Sequence, residues 1–248
     1  MPYIHGKCVA GKTEQHWKCY SKRWPGKSKG EKRGRKIKES SSSQKKGNLR
    51  RMVDKLTWIM NANFVDGDFV VTLDYRKDAR PGDRMQLKKD ARNFLDKLRR
   101  KLKKQGKELQ YIHVMEVGER GAMHHHLLIK EMDIKTLREC WSYGGIQVEP
   151  LWSEGQYRKL AEYFIKYSEK TMRTEAALMT KHWYASRNLV IPEPEKKVIK
   201  AGYFKKVINV PAGYYLDKES VAAGVNEDGF DYFTYTLIQV ERKRGRGG

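Results

Sequence analysis

The chain has 248 residues, 39% of them hydrophobic and 33% charged, and a formal net charge of +22 at pH 7. That length suits one domain with extensions or two small domains. No apolar run reaches transmembrane length, Met1 to Ala10 lacks the apolar centre of a signal peptide, and no basic amphipathic helix stands apart for a lipid surface. The charge therefore points to a nucleic acid rather than a membrane, because neutralising phosphates releases their counterions. Cys8, Cys19 and Cys140 form no C-x-x-C pair, and an odd number at wide spacing suggests reduced thiols in a cytoplasmic protein.

Residues 1–50 carry fifteen Lys or Arg against three acids, a balance of +12. Pro25, Gly26, Gly30 and Gly34 interrupt the segment, and Ser40 to Ser43 close it. Residues 1–48 read as a basic arm that orders on nucleic acid, with a core only around Trp17, Tyr20 and Trp24. Lys32, Arg33, Arg35, Lys36, Lys38, Arg50 and Arg51 are the candidate contacts. Gly11-Lys12-Thr13 lacks the upstream glycine loop of a phosphate-binding motif, and no G-x-x-x-x-G-K-[ST] occurs, so no helicase motif is visible.

From about Ser43 the pattern is helical, with Leu49, Met52, Val53, Leu56 and Ile59 or Met60 on one face. A strand follows over Asp68 to Tyr75, then a turn at Arg80-Pro81-Gly82. The next helix, Arg84 to Lys104, has Met85, Ala91, Phe94, Leu95, Leu98 and Leu102 on one face and mostly bases on the other. Two strands occupy Gln110 to Lys130. A short helix over Ile134 to Trp141, a strand over Ile146 to Leu151 and a helix from about Gly155 to Thr171 complete the series. The order β-α-β-β-α-β-α implies an α+β protein. Its first six elements are those of a ferredoxin-like (RRM-like) split β-α-β core, an antiparallel sheet with helices on one face. That fold alone specifies no function. Beyond it, residues 193–240 read as a β-rich extension, with a hairpin over Gly213 to Val240, and residues 241–248 as a basic disordered tail.

In the Gln110 to Lys130 hairpin, His124, His125 and His126 open the second strand just before apolar Leu127, Leu128 and Ile129. Alternation puts His124 and His126 on one face and His125 on the other. Three free imidazoles at the end of a buried strand are costly without partners. Glu116 shares the face of His124 and His126 if it lies opposite His126, which leaves Glu119 to Met123 as the loop. These three residues are a candidate site for one divalent ion, and the scarcity of cysteine favours a hard ion over structural zinc.

In the helix LAEYFIKYSEK, Tyr163 and Tyr167 lie one turn apart, about 6 Å along the axis. Lys166 and Lys170 share that face. Tyr157, Leu160, Ala161, Phe164 and Ser168 form the apolar face, so the two tyrosines are not needed for packing. A phenol can attack a phosphodiester in line, become a phosphotyrosine and release a 3′ hydroxyl, with a metal and a lysine offsetting the developing charge. Two tyrosines allow two successive transfers.

These residues resemble the HUH endonucleases, which include rolling-circle initiators, relaxases and some transposases. The first motif is His124-His125-His126, with a histidine where the family usually has an apolar residue. The second is doubled, Tyr163-x-x-Lys166-Tyr167-x-x-Lys170, and looks like that of two-tyrosine phage and bacterial initiators. Val71-Thr72-Leu73-Asp74-Tyr75 resembles a further T-L-T-like strand, with Asp74 in place of its second threonine, and Trp183 to Pro192 resembles a stretch downstream of the tyrosines. The resemblance implies a catalytic core over residues 49–192 and Mn²⁺ or Mg²⁺ as cofactor. It implies catalysis by Tyr163, Tyr167, Lys166 and Lys170 on single-stranded DNA at an origin that bears a hairpin. A separate host helicase and polymerase, and a bacterial cytoplasmic, nucleoid-associated setting, go with it.

Two other readings compete. A non-catalytic single-stranded nucleic-acid-binding module explains the charge and the aromatics but not the histidine and tyrosine sets. A hydrolytic metal nuclease would use the tyrosines only for stacking.

Overall fold

The structure is a computed structural model that describes residues 1–20, 41–82, 84–118, 121–174, 181–226 and 229–240. In chain order its elements are β1 (Tyr3–Ala10), β2 (Thr13–Cys19), α1 (Ser42–Asn63), β3 (Phe69–Asp74), α2 (Arg84–Lys104), β4 (Tyr111–Val117), β5 (Met123–Ile129) and α3 (Ile134–Cys140). There follow β6 (Ile146–Pro150), α4 (Arg158–Thr174), β7 (Tyr184–Ala185), β8 (Glu195–Ile199), β9 (Tyr214–Val225) and β10 (Asp231–Gln239). They divide into two compact units, Met1–Ala62 with Ile191–Gly248, and Asn63–Val190.

The second unit is built on an antiparallel sheet of order β6-β3-β5-β4-β7. With β7 set aside, its strands run fourth, first, third, second, which is the split β-α-β arrangement expected from the element order. The apolar stripe of α2, with Leu87, Phe94, Leu95, Leu98 and Leu102, packs with Leu137 and Cys140 of α3 against Val71, Leu73, Met115, Val117, Leu127 and Ile129 of the sheet. Asp133 caps α3 by accepting from the Thr136 amide at 2.8 Å. α2 and α3 thus cover one face, and α4 lies on the opposite face along β4. Buried Asp68 joins the start of β3 to the end of β5, accepting from the amides of Val65 and Glu131 and from Lys130 Nζ at 2.8, 3.0 and 3.1 Å.

The β4–β5 register corrects one expectation. Glu116 lies opposite His124, and Val114 opposite His126. The turn closes earlier than expected: the Gly118 amide donates to the Ala122 carbonyl at 2.7 Å, and Gly121 takes the left-handed φ of 74° that a side chain would resist. The slip is by an even number of residues, so every side chain keeps its face.

The first unit corrects the reading of residues 1–48 as an arm. Residues 3–19 form the hairpin β1–β2 inside a sheet of order β8-β1-β2-β10-β9. Its buried positions on β1 are Ile4, Gly6, Cys8 and Ala10, mostly small residues whose alternation is faint beside the surrounding charge. On β2 the face toward α1 is polar: Trp58 donates to Gln15 Oε1 at 2.6 Å and Asn61 donates to Thr13 Oγ1 at 2.9 Å. Trp17 stacks on Trp58 with centroids 5.8 Å apart. α1, expected to open the catalytic core, therefore packs on this sheet. β9 and β10 are the expected C-terminal hairpin, but β10 lies between β9 and β2. Residues 21–40 and the tail 241–248 lie outside the described residues.

In the second unit Asn63 binds Val190 reciprocally: its amide nitrogen donates to the Val190 carbonyl at 2.8 Å, and its oxygen accepts from the Val190 amide at 2.7 Å. Among the described residues no helix is long and apolar enough to cross a membrane.

Gly144 is a steric requirement at the end of β3. A β carbon there would lie 2.1 Å from the Asp74 carbonyl oxygen and 2.8 Å from the Arg76 nitrogen, both rigid backbone. Gly144→Ala is expected to lower stability by about 1–3 kcal/mol, measured as the shift of the urea midpoint; an unchanged midpoint would show that β3 yields there freely.

Candidate active site

Three strands place the polar face under α4. On β5, His124 and His126 project to the same side, with rings 6.2 Å apart. β3 meets each of them from one flank: Asp74 lies opposite His124 and Thr72 opposite His126. The Asp74 carboxylate accepts from His124 Nδ1 at 2.5 Å, and Thr72 Oγ1 lies 3.2 Å from His126 Nδ1. From β4, Glu116 Oε2 lies 2.9 Å from His126 Nε2, in a pair that is nearly buried. Each imidazole thus has its δ nitrogen held by β3.

The tautomers follow from the partners. An ionised carboxylate can accept but not donate, so beside Asp74 and Glu116 His124 carries its proton on Nδ1 and His126 on Nε2. His126 Nδ1 is then an acceptor, served by the Thr72 hydroxyl. A hydroxyl also accepts, so Thr72 can stabilise the other tautomer, in which His126 Nε2 presents a lone pair. Burial lowers the His126 pKa, and its bond to Glu116 works in the opposite direction.

The middle histidine faces the other way, as alternation requires. His125 is fully buried yet bonded at both nitrogens, to His113 Nε2 and to Tyr75 Oη, each at 3.0 Å. Tyr75 donates onward to Asp90 Oδ2 at 3.1 Å, and Gln86 donates to the other Asp90 oxygen at 2.6 Å. The carboxylate sets the direction of the whole chain: His113 donates to His125, His125 to Tyr75 and Tyr75 to Asp90. Both histidines are neutral, because burial pushes His125 well below its ordinary pKa and His113 down to about 3.

α4 is anchored along its length. At its start Tyr157 donates to Asp66 Oδ1 at 3.1 Å, and Asp66 also accepts from the amides of Ser153 and Glu154 in the preceding turn. In its middle Ala161, Phe164 and Ile165 are buried. Near its end Thr171 Oγ1 donates to the Met115 carbonyl at 3.2 Å and accepts from the Val117 amide at 3.0 Å, both on β4. This register, which the sequence left open, brings Tyr163 and Tyr167 over His126, with ring centroids 5.7 and 5.1 Å away. The two phenol rings are 4.3 Å apart and nearly perpendicular. Tyr163 is 41% exposed, whereas Tyr167 is half-buried. Burial, the hydrogen bond to Tyr167 and the carboxylates of Glu116 and Glu149 all raise the Tyr163 pKa.

The structure therefore brings Glu116, His124, His126, Tyr163 and Tyr167 together and adds Asp74 and Thr72. Lys166 is exposed and Lys170 half-buried on the same helix. Of the basic residues expected to meet nucleic acid, Arg50 lies over the Tyr232 ring at 4.9 Å, and Arg51 folds back on Gly47 and Asn48 of its own helix. Lys32, Arg33, Arg35, Lys36 and Lys38 lie outside the described residues. Sequence reasoning missed Asp66 and Thr171. Asp74 carried a signal, an acid two residues past Thr72 on one strand face.

Residues 68–172 match the family model Replication-associated protein ORF2/G2P. That stretch runs from the entry to β3 through almost all of α4, and so holds every residue of the site. The match supports a replication-initiator role of the Rep type. No curated protein and no solved structure matches the chain.

Among the described residues no three His, Cys, Asp or Glu side chains are drawn together as a metal cage. Glu116 and His126 are hydrogen-bonded to each other, and His124 turns to Asp74. The donor chemistry nonetheless fits a divalent cation. An imidazole nitrogen and a carboxylate oxygen lie 2.9 Å apart, a second imidazole stands on the same face, and β3 partners hold both rings from behind.

His113 gives the site's underside a pH signature. In the unfolded chain its pKa returns to about 6.5, so between that value and about 3 the unfolded state binds the extra proton. Stability falls as pH drops through this window, by about 2 kcal/mol between pH 7 and pH 5 from His113 alone. His113→Gln, which keeps a donor toward His125, is expected to flatten that loss in urea titrations at the two pH values. Equal losses in both proteins would show that His113 titrates normally.

Proposed function

We propose that this protein nicks and rejoins single-stranded DNA at a replication origin, through a covalent phosphotyrosine, to initiate rolling-circle replication. The observation that carries this reading is the meeting of His124, His126 and Glu116 with Tyr163 and Tyr167 on one sheet face. The match of residues 68–172 to replication-associated proteins supports it.

Tyr163 acts first, because it is the more exposed phenol. Its oxygen attacks the scissile phosphorus and forms a bond to the 5′ phosphate as the bond to the 3′ oxygen breaks. The phenol loses a proton and the departing 3′ oxygen gains one, so no further reactant is needed. Mn²⁺ or Mg²⁺ held by His124, His126 and Glu116 would supply Lewis-acid polarisation of the phosphate and offset the carboxylate field that opposes phenolate. Asp74 and Thr72 keep the imidazole rings oriented, and exposed Lys166 offers positive charge to the DNA backbone. Tyr167 accepts the strand in the second transfer, and attack by a free 3′ hydroxyl on the phosphotyrosine reseals it. A separate helicase and polymerase of the bacterial cytoplasm would extend the nicked strand.

The deciding experiment incubates the protein with pooled single-stranded oligonucleotides and Mn²⁺, then runs a denaturing gel. A DNA fragment shifted by the mass of the protein is expected. The adduct disappears in EDTA, in His126→Ala and in the double variant Tyr163→Phe/Tyr167→Phe, while His126→Ala still binds DNA. Free products without an adduct would indicate hydrolysis, and normal cleavage by the double variant would place the nucleophile elsewhere. Tyr163→Phe alone is expected to lose initiation; an adduct formed at the normal rate, with loss in Tyr167→Phe, would reverse the order.

Residues 21–40 hold nine bases and two acids, and we assign them to phosphate contact. Replacing them with an uncharged linker of equal length preserves the chain path between β2 and α1. The salt slope of single-strand binding is expected to fall by about 0.7 for each phosphate contact removed. An unchanged slope would mean that this segment does not touch the strand.

A further inference from the structure

The second unit holds a cavity on the face of the sheet away from the tyrosines. It has a volume of about 320 Å³ and lies between α2 and the strands β4 and β7. Its size suits one nucleotide-sized ligand. Beside apolar Ala91, Leu95 and Met115, its lining holds cations and rings. Lys88, Arg92 and Arg99 come from one side of α2, at spacings of four and seven residues, beside the apolar stripe that packs on the sheet. Tyr111 and His113 come from alternate positions of β4, and Tyr184 from β7.

The cations are unequally committed. Arg99 is paired with Asp96, the acid among the lining residues. Lys88 and Arg92 make no ion pair or hydrogen bond among the described residues, so an anion entering the cavity would meet two available charges. Two of the rings lie side by side: His113 lies opposite Tyr184 across the strands, with centroids 6.2 Å apart and planes 32° from parallel. His113 is neutral and tied to His125, so it adds surface without adding charge.

Each half excludes a class of ligand. A bare inorganic anion makes no use of the aromatic floor. An uncharged aromatic compound leaves the cations unanswered. A planar base joined to a phosphate uses both, through stacking and charge. We propose that this cavity binds one nucleotide of single-stranded DNA, with its base against Tyr111 and Tyr184 and its phosphate on Lys88 and Arg92. The site is separate from the tyrosines and holds the strand without cutting it. It requires only that the protein engage single-stranded DNA, and does not depend on the nicking chemistry.

The test is fluorescence anisotropy of the full chain with a labelled mixed-sequence oligonucleotide at fixed salt. Lys88→Glu/Arg92→Glu and Tyr184→Leu are each expected to weaken binding by about tenfold. Lys103→Glu/Lys104→Glu, which makes the same charge change at the end of α2, is expected to weaken it much less. Equal losses in the two charge-reversed pairs would assign the effect to net charge and overturn the proposal, as would full affinity in both cavity variants. Photocrosslinking with 5-iododeoxyuridine oligonucleotides tests the contact independently: adducts on the Tyr111 or Tyr184 peptides support it, and adducts confined to other segments overturn it. Displacement of the oligonucleotide by millimolar deoxyadenosine monophosphate would identify a free-nucleotide site and overturn the assignment to a strand. Nicking is read on the denaturing gel and strand binding by anisotropy and crosslinking, so the two readings fail separately.

Discussion

His125 is fully buried and bonded at both ring nitrogens, and that fixes the direction of its neighbours. A strand that presents one residue to the α2 side must present the residues before and after it to the α4 side. Rotating β5 would place His124 and His126 against Trp141 and Tyr75 in the apolar layer and leave the Tyr75–Asp90 pair without its donor. Each buried polar group stranded in this way costs about 1–3 kcal/mol. The polar chain on one face therefore disciplines the candidate chemistry on the other. It also accounts for a histidine at a fully buried strand position that would otherwise suit an apolar side chain.

Electrostatics at the site run against the rest of the molecule. A chain of net charge +22 gathers Asp74, Glu116 and Glu149 around two imidazoles and two phenols. Without a cation Glu116 and Glu149 make Tyr163 harder to ionise. The same field is attractive to a divalent ion, and the net positive charge of the chain is attractive to a polyanion. Local and global charge are thus suited to different parts of one substrate complex.

Much of the second unit was legible because its signals are periodic. α2 has the bounds expected from its leucines and Gly106, since one apolar stripe faces one sheet. The pairing of histidines by face follows from parity alone, which is why it survived a register expected two residues away from the observed one. What was not legible depends on single long-range bonds. The partners of Thr171 are backbone groups of β4, one accepting and one donating, more than fifty residues earlier, and Asp66 serves a turn more than eighty residues later. Nothing in their local sequence marks those distances. β1 and β2 were hidden differently, by small buried residues and by a polar interface with α1. In that interface Gln15, Thr13, Asn61 and Trp58 do through hydrogen bonds what leucines would do through area.

The position of β10 has a consequence for biosynthesis. β2 completes its pairing with a strand that begins at Asp231, more than two hundred residues after it. The second unit is contiguous, and the Asn63–Val190 clamp ties its two ends. A ribosome that has released residue 190 has supplied everything the second unit needs and only two of the five strands of the other sheet. The order of assembly is thereby written into the chain path: the site-bearing unit can close first, while β1 and β2 wait with an open edge for the last strand to emerge.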